Sequence, residues 1–119
     1  MRHQMTLFIE PFRSIKSGRK TVEVRLNSEN KRQIQIGDTI EFELLPDRTE
    51  KINVLVEDLM VFKTFEEMYS SITFKEFDCG HWTMNEMIDA TYKIYSSQRE
   101  AMWGALGIRI KLIENELKL

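Results

Sequence analysis

The chain has 119 residues, 42% hydrophobic and 30% charged, enough apolar sequence for one ordinary core without staples. Its net charge of −2 argues against binding nucleic acid by bulk electrostatics, and one cysteine excludes an internal disulfide and suits a reducing cytoplasm. The first twelve residues hold too short an apolar run for a signal peptide, and no stretch approaches a membrane span. A single cytoplasmic domain over residues 1–119 is therefore expected.

Residues 3–9 alternate in polarity and predict a first strand. In "EPFRSIKSG", Pro11 suits a first helical turn, Phe12 and Ile15 share one side, and Gly18 is the C-terminal stop. "KTVEVRL" predicts a second strand, with Val22, Val24 and Leu26 inward and Thr21, Glu23 and Arg25 outward. A polar excursion, "NSENKRQIQIGD", ends in the turn pair Gly37-Asp38. "TIEFELL" and "KINVLVEDLMVF" alternate on either side of "PDRTE" and predict an antiparallel hairpin, with a bend near Glu57 and Asp58. Thr64 with Glu67 and Thr83 with Glu86 have the spacing of capping boxes and open two helices, while Ser97 with Glu100 could start a short helical turn. "WGALGIRIKLI" is the last strand, where Gly104 and Gly107 allow close backbone approach. Five or six strands with two or three helices to one side predict an α+β fold around a small curled sheet or barrel.

Charge is segregated along the chain. Residues 11–33 hold seven basic residues against Glu23 and Glu29, a local +5, which leaves −7 on the remainder. Such asymmetry predicts a basic surface on an acidic body, and a solvated face without a partner is the plain alternative. Metal binding fails on counting: His3, Cys79 and His81 are the only soft ligands, so neither a metal nor another cofactor is expected. Phosphate-binding glycine loops and dinucleotide fingerprints are absent.

The segments "PFRSIKSGRKTVEVRL", "IQIGDTIEF", "TFEEM" and "YSSQREAMWGALGIRI" together resemble the ASCH domain family, in the family's order and over nearly the whole chain. The most specific element is the G-x-K-x-x-E-x-R signature, met by Gly18, Lys20, Glu23 and Arg25. The resemblance implies a PUA-like curled β-barrel and work on RNA or a modified nucleoside, bound in a cleft beside the signature. Relatives also include amide hydrolases of N4-acetylcytidine and ribonucleases acting on single-stranded RNA.

Lys20 can pair a phosphate or serve as a base or electrophile, and Glu23 can accept from an amino group of a base. Arg25, two residues along the same strand face, offers a planar fork to phosphate or carboxylate. A structural Glu23–Arg25 surface pair is the bland alternative. Lys20 and Glu23 are the candidate catalytic residues. Lys16, Gly18, Arg19, Thr21, Arg25, Tyr95, Ser96 and Gln98 are the candidate binding residues, Tyr95 as a stacking surface at a helix end. In the acetylcytidine hydrolases that this chain resembles, a catalytic threonine falls three residues after the lysine. Here that position is Glu23; Thr21 is out of register, and Asp78 is the carboxylate nearest to where the family glutamate would fall. An RNA- or nucleoside-binding module is thus the first expectation. A small hydrolase and a module for an acidic protein partner are the alternatives, and the predicted pocket places Lys20, Glu23 and Arg25 opposite Tyr95 or the Ser96–Gln98 loop.

Overall fold

The computed structural model describes residues 1–113. Its elements are β1 (Arg2–Leu7), α1 (Ile9–Lys16), β2 (Val22–Leu26), β3 (Thr39–Leu44), β4 (Lys51–Phe62), α2 (Phe65–Ser71), α3 (Met84–Tyr92), α4 (Ser97–Trp103) and β5 (Ala105–Leu112). Single 3-10 turns occupy Lys31–Gln33 and Phe74–Phe77. The five strands make one curled sheet in the order β1-β3-β4-β5-β2, with β1 parallel to β3 and the other neighbours antiparallel. The fold is α+β and PUA-like, with β1 and β2 as the two edges of the sheet.

Strand alternation sorts residues between two cores. Ile40 and Phe42 of β3, Ile52, Val54 and Val56 of β4, and Leu106, Ile108 and Ile110 of β5 fill the concave side, closed by Phe12 and Ile15 of α1. On the other face Val22, Leu26 and Ala105 pack under α2 and α3, against Phe65, Met68, Tyr69 and Met87. Val22 and Leu26 of β2 lie in a core as predicted, but the predicted outward side of the strand is covered as well. Glu23 and Arg25 lie opposite Ile108 and Leu106, so they share the concave face, while Val22 and Leu26 face the helices. Both faces of this strand are covered, and Glu23 is only 4% exposed.

Several boundaries differ from the expectation for local reasons. The first strand stops at Leu7, because α1 begins at Ile9. The predicted bend in β4 is a register shift between Val56 and Asp58 against β5. The short helical turn expected from Ser97 and Glu100 is a longer helix: α4 runs to Trp103 and is capped by Ser96, whose hydroxyl accepts from the Arg99 amide, so Trp103 precedes the last strand. Gly104 breaks helix from strand at φ +78, where an added Cβ would stand 2.7 Å from the Phe62 carbonyl oxygen. The Thr83–Glu86 box is complete, whereas Glu67 reaches back to the Lys63 amide and leaves only half a box at Thr64. Among the described residues, no helix is long and apolar enough to cross a membrane.

Candidate functional site

Arg25 marks the open seam between the two edge strands. Its Nη2 donates to the Thr6 carbonyl of β1 at 2.9 Å, and its Nε donates to Glu23 Oε2 at 2.8 Å. Lys20 does not belong to the strand. It sits in the turn that Gly18 allows at φ +81, with its amide bonded to the Ser14 carbonyl, and from there its Nζ stands 2.8 Å from Glu23 Oε1. One carboxylate is thus gripped by two cations, all three side chains being at most 18% exposed. Burial by itself would raise the Glu23 pKa. The charges and hydrogen bonds of Lys20 and Arg25 more than reverse that, holding the carboxyl below its ordinary range and ionised at neutral pH.

These three groups form one wall of a cavity of about 460 Å³, within the span of about 300–1,000 Å³ usual for small-molecule sites. The opposite side is apolar and aromatic, from Tyr69 of α2, Phe77 and Trp82 of the following loops, Met87 of α3 and Tyr95 at its end. Tyr95 is held by stacking on Phe65, ring centroids 5.6 Å apart and planes at 15°. Tyr69 is fixed by its hydroxyl's hydrogen bond to Thr91 Oγ1 at 2.7 Å and by an edge contact with Phe77. Burial pushes the Tyr69 phenol up to about 12, and raises the Tyr95 phenol and the Cys79 thiol as well. All three are neutral at pH 7.

Of the residues singled out from the sequence, Lys20, Glu23, Arg25 and Tyr95 meet in this cavity. The others stand elsewhere. Lys16 pairs with Glu50 at 2.6 Å, and Arg19 with Asp78 at 3.1 Å. Asp78 also accepts from the Ser14 hydroxyl and is not in the cavity wall. Gly18 and Thr21 line a separate groove of about 480 Å³ beside Arg109 and Glu76, which Lys20 also borders. Ser96 caps α4, and Gln98 lies exposed in its first turn. Tyr92 donates to Glu100 at 2.6 Å, and Trp103 lies under the Arg32 guanidinium, so neither ring faces the cavity. Sequence reasoning missed Phe8, Trp82 and Ile94 at the cavity mouth. They come from three separate elements, and only their exposure as large apolar residues in polar surroundings could have signalled them. His3 is bound to Asp38 at 2.8 Å, and no cluster of three or more metal-ligating side chains occurs among the described residues.

The curled mixed sheet with its flanking helices has the architecture of a PUA-like domain. The ASCH domain profile matches residues 5–114, and the chain belongs to the ASCH domain family. It is similar to the crystal structure of hypothetical protein PH0355, with 31% identity and a TM-score of 0.85 over 95% of this chain and 100% of that one. The solution structure of protein PF0455 from Pyrococcus furiosus matches with 28% identity and a TM-score of 0.73, over 97% and 100% of the two chains. The crystal structure of a mutant ZmASCH protein from Zymomonas mobilis shares the fold, at 14% identity and a TM-score of 0.59, over 91% of this chain and 66% of that one. No curated protein matches the chain at a comparable level.

Proposed function

We propose that this protein binds RNA or a modified nucleoside, holding one nucleobase in the cavity between β2 and α3. The carrying observation is the union of a buried Lys20–Glu23–Arg25 cluster with an aromatic wall in one space of about 460 Å³. Each oxygen of Glu23 takes one bond from a cation and keeps acceptor capacity for the amino group of a base. Arg25 and Lys20 supply donors for carbonyl or phosphate oxygens, and Tyr95 offers the ring face that Phe65 does not cover. In an NMR titration with short single-stranded RNAs and cytidine derivatives, amide shifts around residues 20–25 are expected to move, and Lys20→Ala to abolish the movement. Unchanged shifts there with every ligand would sink the reading.

A hydrolase acting on an acylated base is the second reading, favoured by the direct Lys20–Glu23 contact on the cavity wall. Its weakness is chemical. A carboxyl held below its ordinary range is a poor proton acceptor, and the Thr91 hydroxyl in the cavity already donates to the Met87 carbonyl at 2.8 Å. Incubation of wild type and Lys20→Ala with N4-acetylcytidine separates the readings. Turnover lost with Lys20 would promote the enzyme over the binder.

A further inference from the structure

Among the described residues, Lys20, Glu23 and Arg25 are the only charged side chains lining the cavity, and two of the three are cations. The remaining groups that titrate there, Tyr69, Tyr95 and Cys79, are all shifted upward and stay neutral at pH 7. The wall therefore carries an excess of one positive charge in largely apolar surroundings. The nearby acid Asp78 feels the Lys20 charge but makes its direct bonds to Arg19 and Ser14 outside the cavity, where Arg19 balances it. Behind Arg25 the imbalance grows. Lys31 is half-buried, has no carboxylate partner among the described residues, and loses proton affinity first through burial and then through the Arg25 charge. Buried charges in proteins are matched by a counter-charge, and the described residues of the cavity wall supply none for the second cation.

We infer that the cavity is built for a ligand with one negative charge, an oxyanion beside Lys20 and Arg25 on an aromatic heterocyclic body. The body lies against Tyr95 and Tyr69 and reaches the mouth, where Phe8, Trp82 and Ile94 are 69%, 44% and 73% exposed. Those three residues are apolar surface left open to water at the point where a bound molecule would cover it. Glu23 sets the count: without it the wall would be doubly positive and suited to a dianion. The inference rests on the nucleoside reading and narrows it to a nucleotide unit carrying a phosphodiester. A carboxylate on the base is the other source of the same charge.

A series that varies only in charge tests this by calorimetry at pH 7.5: cytidine, cytidine 2′,3′-cyclic phosphate with one charge, and cytidine 3′-monophosphate with nearly two. The first charge is expected to tighten binding by about tenfold or more, and the second by less than about threefold. Lys20→Met, which neutralises the excess, is expected to erase the first gain. Glu23→Gln, which leaves the wall doubly positive, is expected to keep the first gain and to raise the second to a comparable size. Uracil compared with its 6-carboxylate forms a separate arm, and a gain confined to that arm would uphold the single oxyanion while removing the phosphodiester as its source. Cytidine binding as tightly as both phosphates would overturn the inference and leave the nucleoside reading standing. Failure of all these ligands, with none showing binding, would bring down both. The wild-type series decides the matter even if a variant fails to fold.

Discussion

Glu23 illustrates how a single residue ties stability to the site. Its carboxylate bridges Lys20 Nζ and the Arg25 guanidinium, and among the described residues no other carboxylate lines the cavity. Removing one partner from a buried ionic cluster costs about 3–5 kcal/mol, because the charges left behind stay desolvated and unpaired. Glu23→Ala is therefore expected to lower the urea unfolding free energy by about 3 kcal/mol. The pH dependence has a definite sign. The folded-state pKa is depressed, so the contribution is fully present above the unfolded glutamate value of about 4.3 and is lost as pH falls through the folded value. The stability gap between wild type and Glu23→Gln should be widest near neutrality and shrink below about pH 4. A gap constant from pH 7 to pH 3 would show that the pair's charge contributes nothing.

At the scale of elements, the junction of α4 with β5 depends on one backbone conformation. Gly104 sits at φ +78, and a Cβ there would meet the Phe62 carbonyl oxygen at 2.7 Å, where the fixed backbone of β4 cannot yield. Gly104→Ala should cost more than about 1 kcal/mol from the conformation alone, with the clash added. Gly80→Ala, whose added methyl meets nothing within 4 Å, should stay near wild type in the same thermal melts. Equal losses would show that the strain argument is wrong. This same glycine explains a misplaced boundary. "WGALGIRI" reads as an unbroken apolar strand, because a left-handed break is invisible to polarity. Alternation located β3, β4 and most of β5, since each has one face in a core. On β2 it placed Val22 and Leu26 in a core but missed the burial of Glu23, because both faces are covered and the polar side turns toward a seam. Lys20, Glu23 and Arg25 were brought out by the resemblance to the family signature, with alternation placing Glu23 and Arg25 on one side of β2. Beyond Tyr95 the aromatic wall was not legible, because Tyr69, Phe77 and Trp82 converge through tertiary packing from segments with no shared pattern.

Across the whole molecule, the +5 segment at residues 11–33 is less exposed a charge than its sequence suggests. Lys16 is matched by Glu50, Arg19 by Asp78, and Lys20 and Arg25 share Glu23. Arg32 is turned onto the Trp103 ring and the Asn27 carbonyl. Of the seven basic residues, Arg13, Lys31 and Arg32 have no carboxylate partner among the described residues, and only Arg32 is held otherwise. The electrostatic pull on an RNA backbone should therefore come from about three phosphate contacts, the cavity's excess cation, Lys31 and Arg13, rather than from seven. For single strands each contact contributes about 0.7 to the salt slope, so log K against log salt should fall with a slope of about −2.1. Seven engaged cations would give about −5 by the same rule. Lys31→Gln should flatten the slope by about 0.7 with little effect on the affinity for a free nucleoside. A wild-type slope steeper than about −3 would mean that the ion pairs at Glu50 and Asp78 open when RNA binds, and that the strand runs along α1 rather than only across the cavity mouth.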